Sequence, residues 1–139
     1  MQKHLFKLMM ATHVFLYRLT GGRLGGTMRD FKVLLLTTTG RKSGKRRTTP
    51  LGYIAHDGSY VIAASNAGLA HHPSWYYNLK SNPQITMQVK DRVTTAVAEE
   101  AGGELRNQLW AQLIEQAPSY ADYEKRTTRK IPLVILRAK

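Results

Sequence analysis

The chain has 139 residues, 42% hydrophobic and 22% charged, a composition ordinary for one folded domain. Against 9 Asp and Glu stand 21 Lys and Arg, a formal net charge of +12, so a polyanionic ligand or partner is the first expectation. There are no cysteines, which excludes disulfides, cysteine-ligated zinc and thiol catalysis.

Residues 3–20 read as an amphipathic helix. Leu5, Leu8, Met9, Phe15, Leu16 and Leu19 recur at helical spacing, with Lys3, Lys7 and Arg18 on another face. The expectation is that this apolar face packs on its own domain or on a second subunit, giving a homodimer; the alternative is peripheral contact with an anionic membrane. The longest stretch free of charged side chains, Leu8 to Tyr17, is far shorter than the roughly 20 residues a transmembrane helix needs. No A-x-A cleavage pattern follows it, so the mature chain is expected to start at Met1 and to be cytoplasmic, with the membrane's inner face as the alternative place of contact.

Residues 21–31, with the run GGRLGG, form a glycine-rich connector. Strand character then takes over at 32–39. Residues 48–55 and 59–65 read as a hairpin around His56-Asp57-Gly58. Pro73 opens a short helix over 74–80, which Asn82-Pro83 closes. Strands are predicted at 85–89 and 93–99, then a helix over 104–116 with Leu105, Leu109, Trp110, Leu113 and Ile114 on its buried side. Pro118 ends that helix, and 131–137 reads as the last strand. Hairpin-linked strands with helices between them define an α+β domain spanning 1–139, an antiparallel barrel or sheet with helices packed on it.

The chemistry concentrates in TTTGRKSGKRRTTP, Thr37 to Pro50, where Arg41, Lys42, Lys45, Arg46 and Arg47 occur with no acid among them. It is not a nucleotide-binding P-loop. Gly40 and Gly44 are separated by three residues rather than four, Lys45 is followed by Arg46 instead of a hydroxyl residue, and the chain leaves the loop as a strand. Such a loop still turns backbone N–H groups toward an anion, with arginine forks for phosphate or carboxylate. A solvated basic loop without a specific ligand is the plain alternative. No helix-turn-helix, zinc finger or RNP-type aromatic signature supports nucleic acid. His71-His72 has no suitably spaced partners for a metal.

Three blocks carry a resemblance: LLLTTTGRKSGKRRTTPLGYI (34–54), ASNAGLAHHPSWYYNLKSNP (64–83) and PSYADYEKRTTRKIPLVIL (118–136). With a weaker match at GGRLGG they cover nearly the whole chain. The sequence resembles the deazaflavin-dependent nitroreductase family, flavin/deazaflavin oxidoreductases of the split β-barrel superfamily.

That resemblance implies a split β-barrel binding coenzyme F-420, a planar 8-hydroxy-5-deazaflavin with a phosphodiester, a carboxylate and an oligoglutamate tail. It further implies hydride transfer to a small electrophile such as an enone, quinone or nitroaromatic. Carried over by position, Arg41, Lys42, Ser43, Arg46 and Arg47 would line the phosphate and tail site, and Thr48, Thr49 and Pro50 its wall. Ala64, Ser65, Asn66 and Gly68 would pass along the ring, where amide groups tune it. Trp75 and Asn78, at i and i+3, would pack on and hydrogen-bond to the cofactor. Tyr120 and Tyr123 would stand on the substrate side, a phenol there donating a hydrogen bond or proton. Trp75 as core and the two tyrosines as packing residues of a C-terminal lid are the duller alternatives. Two rivals stay open at this level: a split-barrel oxidoreductase that prefers FMN, and a non-catalytic basic protein for nucleic acid or membrane.

Overall fold

The computed structural model describes residues 2–28 and 30–139. In chain order its elements are α1 (Gln2–Thr20), β1 (Thr27–Met28), β2 (Phe31–Thr39), β3 (Arg46–His56), β4 (Ser59–Ala63) and a 3-10 turn (Asn66–Gly68). Then follow α2 (Ser74–Ser81), β5 (Gln84–Val89), β6 (Arg92–Glu100), α3 (Gly103–Gln116), α4 (Ser119–Lys125) and β7 (Leu133–Ala138). Strand β2 pairs with β3 on one side and β5 on the other, so the order β2-β3-β4-β7-β6-β5 closes on itself. The result is a six-stranded antiparallel split β-barrel.

Period-2 alternation sorts the apolar strand residues between the inside and outside of this barrel. Leu34 and Leu36 of β2, Ile62 of β4, Met87 of β5 and Val134 and Leu136 of β7 fill the interior, with Trp75, Tyr76 and Leu79 of α2 packed among them. The alternate residues of β4 and β7, Val61, Leu133 and Ile135, face outward onto α3 and α4. Val33 and Leu35 of β2 face outward onto Tyr17 of α1. The continuous run Val33 to Leu36 is therefore buried on both faces.

Several predicted boundaries shift by one or two residues, and two of the shifts have plain local reasons. The β3–β4 turn needs only Asp57 and Gly58, both with positive φ (49° and 77°), as a two-residue hairpin loop requires. Strand β4 ends at Ala63 because Asn66, Ala67 and Gly68 turn left-handed in succession. Helix α4 has no counterpart in the predicted elements; Asp30 accepts hydrogen bonds from the Ser119 backbone N–H (3.0 Å) and hydroxyl (2.6 Å), fixing its first turn.

On α3 a predicted face is corrected, and on α1 packing of the apolar face against its own domain, one of the two expected seats, is not found. In α3 the half-exposed residue is Leu105, while Arg106 is buried. The Arg106 guanidinium lies 4.8 Å from the Trp110 ring centre and donates to the Ile131 carbonyl at 2.7 Å, which lets a cation occupy an inward position. In α1 the predicted apolar face points away from its own barrel: Leu5, Leu8, Met9, Phe15 and Leu19 are all exposed, Leu19 by 70%. The helix docks instead through Tyr17, 1% exposed. The Tyr17 hydroxyl donates to the Val33 carbonyl (3.0 Å) and accepts from the Lys90 N–H (2.8 Å), a polar clasp that a count of hydrophobic residues cannot anticipate. His13 adds a contact from Nε2 to the Gly25 carbonyl at 2.7 Å.

Candidate functional site

The basic loop joins β2 to β3. Gly40 N–H donates to the Lys45 carbonyl and Gly44 N–H to the Gly40 carbonyl, both at 2.8 Å, while Lys45 N–H reaches the Ser43 hydroxyl at 3.1 Å. Gly44 has φ +71°, which favours glycine, and a Cβ on Gly40 would stand 2.6 Å from the Ser43 hydroxyl that accepts the Lys45 N–H. Asn78 anchors the loop from α2. Only 7% exposed, it accepts from the Arg41 N–H (3.1 Å) and donates to the Thr38 hydroxyl (3.2 Å). It thus holds the shape of the anion loop from beneath.

Among the described residues, none of the five loop cations has a carboxylate within ion-pair distance. Arg46 donates to the hydroxyls of Thr39 (2.9 Å) and Thr86 (2.7 Å), and the Arg41 guanidinium stacks on Tyr77 at 4.9 Å. Lys42, Lys45 and Arg47 are exposed. So much unneutralised positive charge on one loop favours a ligand bearing several negative charges.

Beside the loop opens a cleft of about 380 Å³. Thr48, Thr49, Pro50, Ser65, Asn66, Trp75, Tyr120 and Tyr123 all line it. The structure therefore brings together eight of the expected residues from β3, the 64–68 segment, α2 and α4. Ala64 is instead in the barrel interior, and Gly68 is pressed against α4, where a Cβ would meet Arg126 Cβ at 2.7 Å and the Tyr123 carbonyl at 2.9 Å. Arg41, Lys42, Ser43 and Arg46 stand on the exposed loop. Arg47 shares with Thr48 a second groove, about 790 Å³, that runs along α1. Phe6 and Met10 of α1 line both spaces, so the two are contiguous.

Ser65 is right-handed and Asn66 left-handed (φ 47°), the pair of conformations that turns successive N–H groups into one concavity, an anion nest. The Ser65, Asn66 and Ala67 N–H groups have no protein acceptor among the described residues. Opposite in chemistry stands Tyr120, 4% exposed, its ring 5.2 Å from Phe31 and 5.5 Å edge-on from Tyr123. Its hydroxyl rests on Gly52, where no side chain would fit, and bonds no protein group among the described residues. Burial pushes this phenol far above its ordinary range, with Tyr123 and Asp30 adding to the effect, so it stays protonated near neutral pH.

Sequence reasoning missed several parts. Phe6, Met10, Phe31 and Gly52 line the cleft without any local signal, because tertiary closure alone brings them there. Arg18 reaches from α1 to the Thr48 hydroxyl at 3.0 Å, and Thr48 in turn meets Thr37 at 2.7 Å. Arg129 grips the 64–72 segment, yet in the sequence nothing separates it from the cations around it.

A closed antiparallel barrel, a slot walled by backbone and aromatic rings, and an adjoining polycationic loop define a split-barrel oxidoreductase that holds a planar, anionic redox cofactor. The donor set fits a deazaflavin: the nest suits charge on a ring, and the loop suits a tail of phosphate and carboxylates. Comparison with known proteins gives the same class. Residues 9–138 match the family model described as F420H(2)-dependent quinone reductase, and the chain belongs to that family. It is 36% identical, over 98% of its length and 94% of the relative's, to an F420H(2)-dependent quinone reductase of Mycobacterium tuberculosis strain H37Rv. A solved F420-H2-dependent reductase (FDR-A) superposes with TM-score 0.70 at 42% identity, covering 76% of this chain and 93% of that one. A further structure, described as a domain-swapped dimer, covers 99% of this chain and all of its own, at TM-score 0.73 and 35% identity. The protein is thus an F-420-dependent reductase, and FMN recedes to the alternative. No helix among the described residues is long and apolar enough to cross a membrane.

Proposed function

We propose that this protein transfers a hydride from reduced F-420 to a small electrophile with an apolar body, a quinone first, with enones and nitroaromatics as further acceptors. The observation that carries the reading is the contiguity of the polycationic loop, the amide nest and the Tyr120 phenol around one cleft. When bound, F-420 supplies the two-electron, hydride-donating chemistry. The chain's own residues do the rest. Arg41, Lys42, Ser43 and Arg47 hold the anionic phosphate and tail, with Arg46 bracing the loop from Thr39 and Thr86. Thr48, Thr49 and Pro50 wall the ring site, Trp75 packs against it, and the Ser65 and Asn66 N–H groups face its electron-rich edge. Tyr120 holds a proton at its hydroxyl for the acceptor's oxygen, and Tyr123 keeps that ring upright by edge contact. The groove beside α1 takes an apolar substituent of the acceptor.

The test is titration with F-420 and with FMN, followed by turnover with quinones, enones and nitroaromatics. Tight F-420 binding that survives moderate salt, with quinone turnover, is the expected result. Tight FMN binding without F-420 binding overturns the cofactor assignment, and duplex DNA as the only ligand overturns the enzyme reading.

The exposed apolar face of α1 we read as the seat of a second copy, since a relative of full-length similarity is a domain-swapped dimer. Sedimentation should give a dimer; a monomer that floats with anionic vesicles would favour the membrane instead.

A further inference from the structure

The guanidinium of Arg129 is bonded almost entirely to one stretch of chain. Nη1 donates to the Ala64 carbonyl (3.1 Å) and lies 2.9 Å from His72 Nδ1, Nη2 donates to the Ser65 carbonyl (2.8 Å), and Nε donates to the Leu69 carbonyl (3.0 Å). Three carbonyl oxygens that converge in this way repel one another unless a cation with a fixed fork of donors stands between them. Within the same stretch Asn66, Ala67 and Gly68 are all left-handed, a conformation that is costly for the first two and persists only where the surroundings enforce it.

Two of the gripped carbonyls have a particular significance. The Ala64 carbonyl shares a planar trans peptide with the Ser65 N–H, and the Ser65 carbonyl shares one with the Asn66 N–H. In a trans peptide the two groups point in opposite directions. A guanidinium that fixes both oxygens on one side therefore aims both hydrogens to the other side, where Ser65 and Asn66 line the cleft. Hydrogen bonding at the oxygen also polarises the peptide and makes its N–H a stronger donor.

We infer that Arg129 is a positioning residue for the redox ring, acting through the Ala64–Ser65 and Ser65–Asn66 peptides to orient and strengthen the two amide donors that meet it. The inference rests on the F-420 reading above. It predicts an effect on the relative affinity for reduced and oxidised cofactor, because only the electron-rich reduced ring draws strongly on those donors.

The experiment uses the full chain and the variants Arg129→Ala and Arg129→Lys. For each, the dissociation constants of oxidised and reduced F-420 are measured, together with the absorption spectrum of the saturated complex. In Arg129→Ala, reduced F-420 should lose about tenfold more affinity than oxidised, which lowers the bound two-electron potential by about 30 mV. Arg129→Lys, with charge but no planar fork, should recover less than half of this. Millimolar guanidinium added to Arg129→Ala should restore it partly and shift the spectrum back. The inference is overturned if both forms weaken equally, or if the saturated spectrum and potential match the wild type, since a merely structural arginine would give that pattern. Absence of F-420 binding to the wild-type chain overturns the underlying reading and the inference together; the two failures are thus distinct. Should Arg129→Ala not fold, Arg129→Lys decides by the same ratio of affinities.

Discussion

A single buried phenol illustrates how much residue chemistry depends on its neighbours. Tyr120 and Tyr123 were legible as a pair at helical spacing, but the geometry that distinguishes their roles was not. Tyr120 has its hydroxyl on Gly52, its ring against Phe31, and a proton locked on by burial. Glycine at 52 carries no local signal in a strand sequence; its reason lies in the Phe31 ring and in the Tyr120 hydroxyl 68 positions downstream, which share the space. Tyr120→Phe is expected to leave the F-420 dissociation constant within about twofold while lowering kcat by roughly 10²-fold, the size of a lost hydrogen bond to charge developing on the acceptor's oxygen. Steady-state kinetics with a quinone, alongside a binding titration, checks the split. Because the phenol titrates only far above neutrality, the wild-type rate should show no limb from this group between pH 6 and 9. Trp75, undecided between core and contact, packs in the barrel interior and also lines the cleft.

At the scale of elements, the strands and their order of appearance were readable because alternation and hairpin turns are local. The 64–68 segment was not, because its left-handed turns sit among contacts from far along the chain, Arg129 on the flanking carbonyls and α4 against Gly68. The β2–β3 loop was read correctly as a dense cluster of cations, but the role of Asn78 beneath it depends on α2 packing under the barrel mouth. Replacing Lys42 and Arg47 together by alanine should weaken F-420 binding by more than tenfold while moving Tm by under about 2 °C, since neither side chain bonds the protein among the described residues. A parallel loss of stability in thermal melts would assign the pair to the fold instead. Helix α1 behaves differently. Its buried anchor on the barrel is Tyr17, so Tyr17→Phe leaves the Lys90 N–H without its acceptor and should cost about 1–3 kcal/mol. Denaturant melts measure that cost. Faster proteolysis within residues 21–26 would show that the loss begins at this seam.

Over the whole molecule, acid is the condition that best exposes how its charges are arranged. Burial alone would raise the Glu100 carboxyl, but hydrogen bonds from Tyr76 (2.5 Å) and Lys80 (3.2 Å) outweigh it and hold the group below its ordinary range. Desolvation and the nearby Arg129 cation likewise hold the His72 imidazole below its usual value, against an opposing pull from Glu100. Both shifts have the same sign: the unfolded chain takes up protons that the folded chain refuses. Stability should therefore be flat from the ordinary imidazole pKa up to the ordinary phenol range and fall as pH drops below the imidazole value, first through His72. Glu100 adds a second decline below the ordinary carboxylate pKa, complete once its folded value is passed. Chemical melts at stepped pH test this, and His72→Gln should flatten the upper part of the decline alone.

The way the six strands close has a further consequence for how copies of this chain can meet. Among the described residues β3 bonds β2 along most of its length, but β4 meets it only at Tyr53 to His56, so Arg46 to Gly52 have no strand on their second edge. Arg46, Arg47 and Pro50 fall in that stretch, and charged side chains and a missing N–H hinder a foreign segment from zipping onto it. Growth by strand addition, the usual route from a folded β-protein to a fibre, is thereby disfavoured. Association through side-chain surfaces, which are chemically selective and can saturate, is favoured instead. A molecule that leaves apolar helix surface exposed can thus be sticky in one place without being prone to polymerise.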